Sequence, residues 1–126
     1  MKIKIYQISE VEGVKICREC EKYHNERCLN KFKGFEFIDK DALDFDCYSE
    51  VYSYIDNGEY DDIYSLLNNI FYVFNNEHPI DFKGHSLSVS DVVRINDDFF
   101  FVDVFGFTQF NPLTMLKIEK TNENIV

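Results

Sequence analysis

The chain has 126 residues, with 23 Asp and Glu against 13 Lys and Arg, a net charge of −10 and 17% aromatic residues. That length suits a single domain, 1–126, and the aromatic content excludes a disordered acidic tail. No apolar run nears the ~20 residues that span a bilayer, Met1-Lys2-Ile3-Lys4 alternates where a signal peptide is continuous, and the acidic balance excludes general nucleic-acid binding, which leaves a soluble, cytoplasmic protein without membrane contact.

Lys2 to Ile8 alternates polar and apolar residues, which predicts a half-buried strand with Ile3, Ile5 and Gln7 on one side. Val14 to Leu29 follows with mixed polarity and no clean period, so residues 14–33 read as a cysteine-containing excursion. Residues 1–35 hold eight basic and five acidic side chains, whereas residues 36–62 hold ten acids and one lysine. Nearly all the excess charge therefore sits in one segment. Within it, Phe32, Phe35 and Phe37 precede Asp39 to Leu43, which reads as one helical turn capped by Asp39. Tyr48 to Ile55 alternates as a strand and closes on the turn pair Asn57-Gly58.

The clearest helix is predicted over about 59–76. Ile63, Leu66, Leu67, Ile70, Phe71 and Phe74 recur at the spacing of one buried face. Glu59, Asp61 and Asp62 fall in its predicted first turn, where the helix dipole favours negative charge. Pro79 closes it, because the residue before proline is pushed out of the helical region. Leu87 to Ile95, the turn-prone Asn96-Asp97-Asp98, and Phe99 to Phe110 then read as a hairpin over about 87–110. The second of these runs is apolar on both faces, as a central strand would be, with a bulge or close approach expected at Gly106. Leu113 to Ile118 is a last short apolar piece. The expected fold is α+β, a small, mostly antiparallel sheet packed against one long amphipathic helix.

Two constellations bear on chemistry. Cys17, Cys20, His24 and Cys28 follow the spacing C-x2-C-x3-H-x3-C, and zinc takes four such N and S ligands. The spacing resembles a zinc knuckle with each of its last two gaps one residue short and without the knuckle's glycine and aromatic positions. Zinc is thus the one candidate cofactor, with Cys47 able to replace His24. The competing reading is a set of reduced thiols. The second constellation is Gly84-His85-Ser86-Leu87-Ser88-Val89-Ser90-Asp91 with Asp103. It lacks the G-x-S-x-G of a nucleophile elbow. Ser90 and Asp91 read instead as a turn entering a strand, bonding nearby backbone N–H groups. Asp103 is the only charge in an apolar run, so a partner is expected for it, from His85 or Ser86.

Tyr64 to Phe107 closely resembles the YodL-like domain. The resemblance is carried by His78-Pro79, by Phe82-Lys83-Gly84-His85-Ser86-Leu87-Ser88-Val89-Ser90-Asp91-Val92-Val93, and by Asp103-x-Phe105-Gly106-Phe107. It extends more weakly over a core of 48–110 and to Tyr6-Gln7. Val104 stands where relatives usually show Ser, and the cysteine cluster looks particular to this chain. The resemblance implies no established enzymatic activity. It implies an interaction module carried by phages, plasmids and conjugative elements of Firmicutes, directed at host defence or host machinery.

The leading expectation is therefore a non-enzymatic module that binds a host protein with a basic surface. The acidic surface of Asp39, Asp41, Asp44, Asp46, Asp61 and Asp62 would supply electrostatic attraction. A first alternative is a small enzyme or ligand-binding domain using His85, Ser86, Asp91 and Asp103, with Ser88 and Ser90 beside them. A second is zinc-dependent nucleic-acid contact through residues 14–33.

Overall fold

The computed structural model describes residues 1–8, 33–38 and 45–119. Their elements are β1 (Lys2–Ile8), a 3-10 turn (Phe45–Cys47), β2 (Tyr48–Ile55), α1 (Ile63–Asn76), β3 (Val92–Ile95), β4 (Asp98–Val102), β5 (Phe107–Asn111) and β6 (Leu116–Lys117). The six strands form one antiparallel sheet in the order β2-β1-β3-β4-β5-β6. The expected α+β architecture, an antiparallel sheet and one helix among the described residues, is what the chain adopts.

The first strand is more deeply placed than its alternation predicts. β1 lies between β2 and β3, and a register shift between Ile5 and Tyr6 changes which side chains face which layer. Ile3 and Ile5 join the core under the helix, with Leu66, Leu67, Ile70, Phe74, Val93, Ile95, Phe100 and Val102. Tyr6 and Ile8 join a second core with Phe35, Ile38, Cys47, Tyr48, Val92, Phe101, Phe110 and Met115. A strand between two such layers is buried on both faces, so the half-buried reading of residues 2–8 is corrected.

The helix is shorter than its apolar period suggests. Asp62 has extended backbone and its side chain accepts a hydrogen bond from Ser65 N at 2.8 Å, which makes it the N-cap. Helical geometry therefore begins at Ile63, not at residue 59, and Glu59 and Asp61 precede it. A capping Asp satisfies one of the N–H groups that the first turn leaves unpaired. Phe71, expected in the buried face, is 40% exposed, because the buried stripe is the narrower arc of Leu66, Leu67, Ile70 and Phe74.

The largest correction concerns residues 87–110. Val92 to Ile95 is the only part of 87–95 in a strand, and Phe99 to Phe110 is not one strand but parts of β4 and β5 with a reversal between them. Asp103 N donates to Gly106 O at 3.0 Å, and Gly106 holds a φ of +71° there, the left-handed conformation that suits glycine. No bulge or close approach occurs at Gly106, whose added Cβ would meet nothing within 4 Å. The apparent two-faced strand is thus two strands, Phe99↔Phe110 to Val102↔Phe107 in register, each contributing to the cores. The turn expected at Asp39 to Leu43 lies outside the described residues.

Candidate functional site

Residues 84–91 close around the side chain of Gln7, which enters from β1 and is 4% exposed. Its Nε2 donates to His85 O at 2.8 Å and to Asp91 Oδ2 at 3.1 Å, and its Oε1 accepts from His85 N at 3.2 Å. Asp91 Oδ2 also accepts from Ser88 N at 2.8 Å, while Asp91 N returns a bond to Ser88 O at 3.0 Å. Between them Ser90 sits at φ 83°, the left-handed third position of a type II-like turn. Ser90 N donates to Val102 O, Val102 N to Asp91 O, and the Tyr48 hydroxyl to Ser90 O at 2.6 Å. This buried polar knot joins β1, β2 and β4 to the loop before β3.

His85 lies at the rim of the knot. Its Nδ1 is 2.7 Å from Ser86 O, so that nitrogen carries a proton, and its Nε2 is 3.7 Å from Asp91 Oδ1. Ser90 and Asp91 are 0% and 1% exposed. Ser88 Oγ donates to Ser86 O at 2.9 Å, and the side chain of Ser86 is exposed. His85, Ser88, Ser90 and Asp91 are therefore brought together, and the bonds they make hold backbone in place. Asp103 does not join them. Its partner is neither His85 nor Ser86: Oδ1 accepts from Val104 N at 2.9 Å and Phe35 N at 3.2 Å, and Oδ2 from Thr108 Oγ1 at 2.5 Å. The alternation that suggested His85 as its partner assumed two adjacent long strands, and the reversal at 103–106 removes them.

Gly84 shows how tight the knot is. A Cβ there would lie 2.6 Å from Gln7 Oε1 and 2.8 Å from Phe82 Cζ. Both neighbours are buried, so Gly84→Ala is expected to cost about 1–3 kcal/mol through overpacking. The check is the shift in urea midpoint, with an unchanged midpoint counting against the packing argument.

A second site appears at the other end of β4. Asp103 ties the β4–β5 turn to Phe35 N, and Gly34 approaches so closely that a Cβ there would be 3.0 Å from Asp103 Oδ1 and from Val104 Cγ2. The locked turn thrusts Phe105 outward to 94% exposure, with Phe37 at 73% and Val104 at 56% beside it. These side chains frame an open cleft of about 370 Å³ that Glu36, Asp103, Thr108 and Lys117 also line. Sequence reading missed this cleft. Its one legible trace was a lone Asp three residues before a glycine in an apolar run.

The remaining candidates are placed as follows. Asp61 and Asp62 are exposed at the start of α1. Asp46 belongs to the 3-10 turn, and Asp39, Asp41 and Asp44 lie outside the described residues. So do Cys17, Cys20, His24 and Cys28, while Cys47 is buried in the second core. Among the described residues, no group of three His, Cys, Asp or Glu side chains is placed to hold a metal ion. Part of the acidic segment has structural partners: Asp56 accepts from Gly58 N at 2.7 Å and from the Tyr60 hydroxyl at 2.9 Å. Asp81, beyond it, accepts from the Tyr52 hydroxyl, and that bond holds the phenol above its ordinary pKa. No helix among the described residues is long and apolar enough to cross a membrane.

A family model for the YodL-like domain matches residues 2–112. The match includes β1 through β5, so Gln7, the knot and the cleft residues of the β4–β5 turn all fall inside it. No curated protein and no solved structure matches the chain significantly.

Proposed function

The chain belongs to the YodL-like domain family, and we propose that it works as a non-catalytic protein-interaction module. The observation that carries this reading is the cleft at the β4–β5 turn. Two exposed aromatic rings, Phe37 and Phe105, stand on a turn that Asp103 holds rigid, with the Glu36 carboxylate among the lining groups. Exposed aromatics on a fixed support are what anchor protein interfaces. Rings beside a carboxylate suit a lysine or arginine side chain, whose stem packs on the rings and whose cation meets their faces.

The partner of this reading is a protein with a basic surface. The ten acids of residues 36–62 would draw such a partner in and the cleft would seat it. Resemblance to a domain carried by phages and conjugative elements makes that partner a host protein, and its modulation, including the blunting of host defence, the proposed outcome. An enzyme built on the knot fits less well, because Ser90 and Asp91 are enclosed and hold backbone.

The test is quantitative affinity capture from a bacterial host lysate, with wild type, Phe105→Ala and Ser86→Ala as baits. A basic protein retained by wild type and by Ser86→Ala, reduced at least tenfold by Phe105→Ala, and released by about 0.3 M salt is expected. Phe105→Ala removes an almost fully exposed ring, so its stability should stay within about 0.5 kcal/mol of wild type. Equal capture by wild type and Phe105→Ala would refute the cleft as the binding site.

A further inference from the structure

The helix α1, Ile63–Asn76, has the sequence IYSLLNNIFYVFNN and contains no charged residue, in a chain whose net charge is −10. Surface helices ordinarily turn a charged face to water. Here the outward face shows Asn68, Asn69 and Asn76 with two aromatic rings, Phe71 at 40% and Tyr72 at 53% exposure. Asn75 and Asn76 fold their amides back onto the carbonyls of Phe71 and Tyr72, at 2.9 and 3.0 Å. Depletion of charge together with exposed aromatics is the composition of an interface core.

We infer that this face of α1 joins two copies of the chain about a two-fold axis. Charge selects the occupant. A basic partner finds no carboxylate on α1 to pair with, so this face is poorly suited to the partner of the cleft. Two copies, each at −10, repel wherever their acidic surfaces meet, and a charge-free face lets them approach with the least repulsion. A two-fold arrangement also needs only one self-complementary patch. Helix α1 is about 21 Å long, so a helix pair covers less than the ~800 Å² per partner of a standard interface. The dimer is accordingly a weak one, with a dissociation constant on the order of tens of micromolar.

Salt separates this inference from the cleft's function. Added salt screens the repulsion between two acidic chains and tightens the dimer, whereas it loosens a complex with a basic partner. The experiment is sedimentation equilibrium of the full chain at about 10–300 µM, in about 0.02 and 0.3 M salt, for wild type, Tyr72→Glu and Phe105→Ala. Wild type is expected to pass from monomer to dimer across this range, with tighter association at the higher salt. Tyr72→Glu, which places a like charge on the two-fold face, is expected to weaken association at least tenfold while far-UV circular dichroism stays unchanged. Phe105→Ala should dimerise as wild type does. A wild type that remains monomeric throughout, a dimer untouched by Tyr72→Glu, a dimer that loosens with salt, or one abolished by Phe105→Ala would each overturn the inference. None of these outcomes bears on capture of a basic protein by the cleft.

Discussion

Asp91→Ala is expected to lower the stability of the chain by about 3–5 kcal/mol, since it strands two buried donors at about 1–3 kcal/mol each and opens a void. The donors are the Ser88 backbone N–H and the Gln7 amide, which approach Asp91 Oδ2 at 2.8 and 3.1 Å in a site that is 1% exposed. No described water or neighbour replaces the lost acceptor without moving Ser90, whose own N–H and carbonyl are tied to Val102 and Tyr48. Against a typical total of 5–15 kcal/mol, a loss of this size leaves a marginal fold. Urea unfolding followed by circular dichroism measures it. Ser86→Ala, at an exposed position of the same loop, should stay within about 0.5 kcal/mol of wild type. A catalytic role for Asp91 without a structural one predicts the reverse pattern, an unchanged midpoint in Asp91→Ala.

Phe74→Ala should be as damaging, by about 3–5 kcal/mol. Phe74 is 1% exposed, and its ring meets Tyr52, Tyr54 and Phe82 at centroid distances of 5.6, 5.8 and 5.0 Å. It is the point where α1, the strand β2 and the loop leading into the knot pack on one another. Its removal leaves a cavity that three aromatic rings cannot close without leaving their edge-to-face or tilted arrangements. Phe71→Ala, one turn earlier on the same helix, removes a ring that is 40% exposed and should cost less than about 1 kcal/mol. Equal losses for the two variants would show that the helix is oriented differently on the sheet.

The contrast between these two phenylalanines marks how far the residues could be read in advance. The series Leu66, Leu67, Ile70, Phe74 marked a helix and its inner face correctly, because side chains three and four apart share a face whatever the helix packs on. Phe71 fits the same series and lies outside the buried arc. Which edge of the stripe is covered depends on how the sheet lies beneath it, and that is not local. Strand β2 was legible to its ends, Tyr48 and Ile55, since alternation and the turn after it agree. Phe99 to Phe110 was not, because apolar residues on both faces describe one central strand and a tight pair of strands equally well. The tie is broken by the Asp103–Gly106 bond and the bond from Asp103 to Phe35, 68 positions away.

The candidate sites divide along the same line. Capping of the backbone by Ser90 and Asp91 was readable from residue type, because short polar side chains bond whichever N–H groups lie within a few residues. Gln7 at the centre of that knot, 84 positions from Asp91, had no local signal. A glutamine in an alternating strand looks like any solvent-facing residue until the strand is covered on both sides. The cleft is less legible still, since Phe37 and Phe105 become neighbours only when the turn after β4 packs on Phe35. Composition, net charge, the amphipathic helix and the family resemblance all depend on residue identity or short spacings, and the linear chain contains those in full. The knot, the cleft and the uncovered face of α1 depend on which distant residues meet, and folding alone brings those residues together.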